Sequence, residues 1–251
     1  MSRAVNFSPC FIVPVYNHGA TVGATVAALA GHDLPIYLVD DGSDTATAVV
    51  LDQLAANIAQ VRLMRQAANG GKGAAVMSGF AAAFADGQTH AMQVDADGQH
   101  ALADIPEFLA AARAAPRALI CGVPLYDASV PRGRYYGRYA THVWVWIETL
   151  SFEIKDSMCG FRVYPLEATR KLIDEVRIGS RMEFDTEILV RLFWRGVRVI
   201  NLPTRVIYPI DGVSHFRLLR DNLRISWMHT RLVFAMLRRL PLLLARRLRE
   251  A

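Results

Sequence analysis

The chain has 251 residues, 53% hydrophobic and 20% charged, with 28 basic against 23 acidic side chains. This composition excludes a disordered protein, and the length suits one domain, or one domain with an appendage. Three well-separated cysteines, Cys10, Cys121 and Cys159, exclude a disulfide framework and a cysteine-rich metal site and read as reduced thiols.

In chain order, residues 10–16 read as a strand, 20–29 as a helix and 36–39 as a strand. Residues 45–57 read as a helix, 61–65 as a strand and 73–84 as a helix. A buried strand at 90–94 follows, then a helix at 105–114 with Asp104 as N-cap and Pro106 in its first turn. Residues 118–121 close this series as a strand. Such alternation predicts an α/β fold, a mostly parallel sheet with helices on both faces. Ligands of open α/β sheets sit beyond the carboxyl ends of the strands, so polar clusters are expected there.

Four strand ends carry such clusters. The first ends in Pro14-Val15-Tyr16-Asn17-His18-Gly19 and the second in Val39-Asp40-Asp41-Gly42-Ser43. The third is followed by Asn69-Gly70-Gly71-Lys72-Gly73, and the fourth by Asp95-Ala96-Asp97-Gly98-Gln99-His100. An aromatic ring suits a base, carboxylates suit ribose hydroxyls or base N–H groups, and a glycine-rich loop with Lys suits phosphate. Asp95 and Asp97 alternate onto one side of the chain and repel unless a cation lies between them. A hard divalent ion fits, because Mg²⁺ typically takes one or two protein carboxylates and fills its shell from substrate phosphate. No Gly-x-Gly-x-x-Gly follows the first strand, and Lys72 is followed by Gly rather than Ser or Thr. These absences argue against a dinucleotide fold and exclude a P-loop.

Further along, Arg132, Arg134 and Arg138 alternate with glycines and tyrosines ahead of an aromatic stretch at 143–147. This segment reads as a basic acceptor loop, a helix packed on the sheet, or both. In Asp156-Ser157-Met158-Cys159-Gly160-Phe161-Arg162, Asp156 is the candidate base or acceptor-orienting group and Arg162 an anion contact, the alternative being a structural salt bridge between them. Glu183 and Asp185 open a helix running to Trp194, where acids also serve the helix dipole; they are the second choice as bases.

Taken together, Pro-x-Tyr-Asn, Val-Asp-Asp-Gly-Ser, Asn-x-Gly-Lys-Gly, Asp-Ala-Asp-Gly-Gln-His and Asp-x-x-x-Gly-Phe-Arg resemble the family 2 glycosyltransferases of the GT-A fold. Within these, the resemblance is to the dolichyl-phosphate mannosyltransferase-like branch, over roughly residues 9–212. It implies an inverting, metal-dependent transfer from a nucleotide-diphospho-sugar, often to a lipid phosphate at a membrane. It also implies that Pro14 and Tyr16 flank the base, that Asn17 belongs to the nucleotide-sugar site, and that Asp40 or Asp41 holds base or ribose. Asp95, Ala96 and Asp97 would face the diphosphate through Mg²⁺ or Mn²⁺, with Gln99 near the metal. Lys72 matches a position of the pattern, although a helix-start role is equally open. The chain departs from the branch where Pro209 and His215 replace an Arg and a Lys around the donor phosphate. His215 is then either a phosphate or metal contact or a packing residue.

The basicity lies in the tail. From Val213 onward nine Arg face only Asp221 and Glu250, whereas the first 212 residues carry 19 basic and 21 acidic groups. Arg217, Arg224, Arg231 and Arg238 recur every seven residues along a predicted amphipathic helix, which Pro241 divides from a second, shorter one. The expected organisation is a catalytic domain over 1–212 and a basic helical tail over 213–251. Uncharged runs are far too short to span a bilayer, so the tail reads as binding a membrane surface or packing on the domain or a second subunit. Nucleic acid is not an expected partner, because no recognised module accompanies the charge. With no signal peptide read at the N-terminus, the expected location is cytoplasmic, peripheral on the inner face of the membrane. A sugar nucleotidyltransferase and a non-catalytic member of the fold are the alternatives.

Overall fold

The computed structural model describes residues 6–125, 132–206 and 217–250. Among the described residues, seven strands form one sheet: β1 (Pro9–Val15), β2 (Ile36–Asp40), β3 (Val61–Arg65), β4 (His90–Gln93), β5 (Leu119–Leu125), β6 (Arg162–Pro165) and β7 (Val199–Arg205). Their order is β3-β2-β1-β4-β6-β5-β7. Neighbours are parallel except around β6, which runs antiparallel to both β4 and β5.

The helices are α1 (Gly19–Ala30), α2 (Thr45–Asn57), α3 (Lys72–Ala85), α4 (Ile105–Ala114), α5 (Arg132–Thr149), α6 (Leu166–Glu175), α7 (Phe184–Trp194) and α8 (Leu218–Glu250). Strand alternation sorts the core into two layers. Phe11, Val13 and Val15 of β1 pack with Val22 and Val26 of α1 and Phe108 of α4. Cys10 and Ile12 face the other way, into the layer of Val76 and Phe80 of α3, Ile188 of α7 and Leu232 of α8. Each such side chain, fully buried, contributes about 1.5–3 kcal/mol. The mostly parallel sheet with helices on both faces is thus as the alternation predicts.

Three features differ from the sequence reading. Asp104 does precede α4, but its carboxylate makes no cap bond and accepts instead from Thr204 Oγ1 at 2.8 Å. The short β6, four residues opening on Arg and closing on Pro, carries no alternation long enough to be read, and β7 and α6 were likewise unread.

The third concerns the tail. α8 is one helix that continues through Pro241 rather than two. Proline removes one helix hydrogen bond and crowds the carbonyl four residues back, so continuity needs outside support. Leu243 is buried beyond the proline, and Arg246 donates to the Phe193 carbonyl at 2.9 Å while lying over the Phe193 ring. The tail packs on the domain, one of the arrangements open from sequence: Met228 and Leu232 share a core layer with Phe80 and Ile188. Its arginines lean on the domain, Arg231 against Glu187 and Arg239 over Trp194. The outward face is apolar, with Leu219, Leu223, Trp227, Phe234 and Leu248 all more than 60% exposed. Val143, Trp144 and Ile147 of α5 are exposed as well.

Candidate active site

The polar clusters collect at the carboxyl ends of β1, β2 and β4, where chain reversals leave backbone groups to be satisfied. Asn17, in the left-handed region at φ 55°, joins the first two ends. Its N–H donates to Ser43 Oγ at 3.1 Å and its Oδ1 accepts from Asp44 N at 2.8 Å. Pro14 lies within β1 opposite Val39, and Tyr16 is half-buried just beyond the strand.

Both acids of the second end are buried and already engaged within the protein. Asp40 accepts from Ser43 N at 2.8 Å and pairs with Arg65 at 3.3 Å. Asp41 clasps the glycine-rich loop, one oxygen accepting from Gly70 N and the other from Gly71 N, each at 2.8 Å. Burial raises the Asp41 pKa, partly offset by those two N–H groups. Asp41 therefore shapes the loop from beneath, where the resemblance implies a base or ribose contact for Asp40 or Asp41.

That loop delivers Lys72, the first residue of α3, into the centre of the site. Lys72 Nζ lies 2.8 Å from Asp95 Oδ2 and 2.9 Å from Asp185 Oδ2. Burial by itself disfavours the ammonium, but the two carboxylates outweigh it and hold its pKa above the ordinary value. Lys72 thus both starts α3 and pairs with two carboxylates, so the two roles open from sequence coexist. The other Asp185 oxygen accepts from Gln93 Nε2 at 3.1 Å. His100 Nε2 lies 3.5 Å from Asp95 Oδ2, its ring stacked on Phe161. Burial acts to raise the Asp95 pKa, and Lys72 and His100 overcome it, keeping the group ionised. Asp95 Oδ1 and His100 Nδ1 are buried without a hydrogen-bond partner.

Asp97 is half-buried and accepts from Gln99 N at 3.0 Å. Ala96 is buried, and its carbonyl accepts from Thr21 Oγ1 at 2.7 Å, fixing the turn that separates the two acids. Among the described residues, no three His, Cys, Asp or Glu side chains form a ready-made metal set. The donor chemistry still fits Mg²⁺ or Mn²⁺, because the buried orphan oxygen of Asp95 is a hard ligand and such ions draw further oxygens from a substrate diphosphate.

Asp156 sits apart from this cluster, in a separate nest of donors. Arg138 of α5 grips it through Nε at 3.1 Å and Nη2 at 2.8 and 2.9 Å, and His142 Nε2 lies 3.3 Å away. Met158 N and Cys159 N donate to Oδ1 at 2.8 and 2.7 Å. Against burial, His142 and Arg138 hold the Asp156 pKa well below the usual carboxylate range.

Two expectations are corrected here. Arg162 is fully buried, and its guanidinium donates to the carbonyls of Ser157 and Asp185, so it faces protein rather than a ligand anion. The ion pair of Asp156 is accordingly with Arg138, not Arg162. Glu183 folds back beside Arg181 N at 3.4 Å. No Gln99 side-chain contact to the acids is seen, and His215 lies outside the described residues. Sequence reasoning missed His100, His142 and Gln93. His100 had one available signal, its place in the turn just after Asp97.

The profile of "Glycosyl transferase family 2" matches residues 10–172. The chain belongs to this family. It is 28% identical over 220 residues to the polyprenol monophosphomannose synthase of Mycolicibacterium smegmatis, covering 81% of this chain and 78% of that one. It is 24% identical over 212 residues to the undecaprenyl-phosphate mannosyltransferase of Micrococcus luteus, covering 81% and 85%. A dolichyl-phosphate beta-glucosyltransferase of Dictyostelium discoideum is 29% identical over 166 residues, 61% of this chain but only 49% of that one. These relatives place the glycosyltransferase with the dolichyl-phosphate mannosyltransferase-like branch.

The fold matches glucosyl-3-phosphoglycerate synthase of Mycobacterium tuberculosis, solved with Mn²⁺, uridine-diphosphate-glucose and phosphoglyceric acid. The TM-score is 0.62 at 15% identity, over 92% of this chain and 79% of that one. A Pyrobaculum calidifontis mannosyltransferase solved with GDP-mannose and Mn²⁺ gives 0.56 at 16% identity, over 83% and 59%. Both likenesses support the GT-A architecture.

Proposed function

We propose that this glycosyltransferase moves a sugar, with inversion, from a nucleotide-diphospho-sugar to a lipid phosphate. One observation carries the choice of acceptor: each of the three candidate bases is already held. Arg138 and His142 hold Asp156, Lys72 and Gln93 hold Asp185, and Glu183 is turned back on its own loop. A hydroxyl acceptor must give up a proton as it attacks, whereas a phosphate arrives ionised and needs no base.

The donor side follows from the charges. Asp95 and Asp97 would hold Mg²⁺ or Mn²⁺, a Lewis acid for the charge that develops on the departing diphosphate. Lys72 is a fixed cation at the same place, between Asp95 and Asp185. Asp41 and Asn17 orient the loops around the nucleotide.

The acceptor test uses one nucleotide-sugar at a time, Mn²⁺, and a short polyprenyl phosphate or its parent polyprenol. Transfer to the phosphate should exceed transfer to the alcohol by about a hundredfold, in keeping with the worth of a missing general base. Equal rates on both would overturn the reading.

The same proposal places the enzyme on a membrane surface, on its cytoplasmic face. No helix among the described residues is long and apolar enough to cross a membrane. What supports surface binding is the outward apolar stripe of α8, flanked by exposed Arg220 and Arg238. A second copy seated on the same face would bring these like charges together, which disfavours a homodimer there. The double variant Trp227→Ser/Phe234→Ser should lose flotation with anionic phosphatidylserine vesicles; unchanged flotation would count against the membrane assignment.

A further inference from the structure

Glu187 of α7 is completely buried, yet it lies outside the cluster around Asp95. Its Oε1 accepts from Arg191 Nε at 2.9 Å and Nη2 at 2.7 Å. Its Oε2 is shared by two donors from different parts of the chain. One is Arg231 Nη2 of α8, at 3.2 Å; the other is the backbone N–H of Gly179, at 2.9 Å. A fully buried carboxylate held by two guanidinium groups is an expensive arrangement unless its geometry serves something.

The segment that Glu187 holds leads directly into the donor loop. The carbonyl of Ser180 accepts from Ala74 N at 2.9 Å, in the first turn of α3. Arg181 Nη1 donates to Asn69 Oδ1 at 2.8 Å and Nη2 to the Asn69 carbonyl at 3.3 Å. Residues 179–181 thus brace the loop 69–74 from one side, while Asp41 clasps Gly70 and Gly71 from the other. Between these two supports stands Lys72, with its contacts to Asp95 and Asp185.

We propose that Glu187 and Arg231 are positioning residues for donor binding. They hold segment 179–181 against the glycine-rich loop, so the docking of α8 sets the affinity of the nucleotide site. This rests on the reading of that loop as the donor site. It extends that reading by making the tail helix, whose outer face is the proposed membrane surface, part of the support of the nucleotide site. Physical continuity alone does not establish coupling, which has to appear as a change in affinity.

The test compares the full chain with Arg231→Gln and Arg231→Lys. UDP and GDP are titrated separately with Mn²⁺ by calorimetry, and amide hydrogen exchange is followed over residues 69–74. Arg231 is partly exposed, so its neutral replacement leaves a foldable protein. Arg231→Gln should weaken whichever nucleotide binds by about fivefold or more, the lower end of typical coupling, and speed exchange over 69–74. Arg231→Lys should recover most of both, because the charge opposite Glu187 returns.

A brace that serves only stability would lower the melting temperature and leave the nucleotide affinity unchanged; that result overturns the proposal. If the wild-type chain binds neither nucleotide, the donor reading fails separately. The affinity role then falls with it, and exchange over 69–74 tests only the brace itself: unchanged exchange in Arg231→Gln ends that too.

Discussion

Replacing Asp95 by Asn should lower sugar transfer by about 10²–10³-fold, the scale for removing one preorganised electrostatic contact from a reacting centre. The carboxylate does two things at once. Its Oδ2 faces Lys72 and His100, and its Oδ1 is buried with no hydrogen-bond partner. An orphan buried oxygen is a costly feature in a protein, and a cation with its bound diphosphate would relieve that cost. Asn keeps the shape but removes the charge that binds the metal. The fold should survive, because Lys72 retains Asp185 at 2.9 Å. Calorimetry with UDP or GDP should then show binding that no longer responds to Mn²⁺, at an almost unchanged melting temperature. Asp97→Asn should lose the Mn²⁺ response as well. Turnover within threefold of wild type, with Mn²⁺ dependence intact, would sink the metal assignment.

What was legible in the sequence followed from period and topology. Strands β1 to β4 are short apolar runs bounded by turn residues, and the parallel alternation placed their polar ends on one side of the sheet. Asn17, Asp41, Lys72 and Asp95 could be gathered before any contact was known, since strand ends in parallel order meet at one edge. Partner choice was not legible. Asp156 and Arg162 are six residues apart and looked paired, but β6 turns Arg162 inward, while α5 brings Arg138 to Asp156 from earlier in the chain. Lys72 read equally well as a helix start, because its role depends on Asp185, which arrives from α7. Pro241 read as a helix boundary, since propensity cannot register that Arg246 and Leu243 are held by the domain beyond it. Local signals identified the loops, and contacts between distant segments decided their chemistry.

This division bears on the mechanism. A search of the sequence for a base finds three carboxylates, and by residue type alone each qualifies. In the fold they become two kinds of group: Asp185 holds the Lys72 cation, while Glu183 and Asp156 fold their own loops, Asp156 gripping Arg138 as well. Asp156 belongs to the second kind through its bonds to Met158 N and Cys159 N. These fix the path of residues 156–160, whose last member lies against the Asp95 cluster.

That last member, Gly160, is the site of the second large effect: Gly160→Ala should lower turnover by about a hundredfold while costing about 1–3 kcal/mol of stability. A β-carbon there would lie 2.7 Å from Gln93 Nε2, 2.8 Å from Lys72 Nζ and 2.9 Å from Asp95 Oδ2. None of the three can yield freely, because Gln93 holds Asp185 and Lys72 is shared by Asp95 and Asp185. Relief must come from displacing Lys72 or pushing the loop away, and the loop is tied to Asp156. Either movement shifts the charges that face the donor diphosphate, and misplacement on the ångström scale is enough for a loss of this size. The loss should appear in both nucleotide affinity and kcat, which separates it from a general destabilisation. A variant with wild-type kcat and a lowered melting temperature would show that Gly160 serves packing alone.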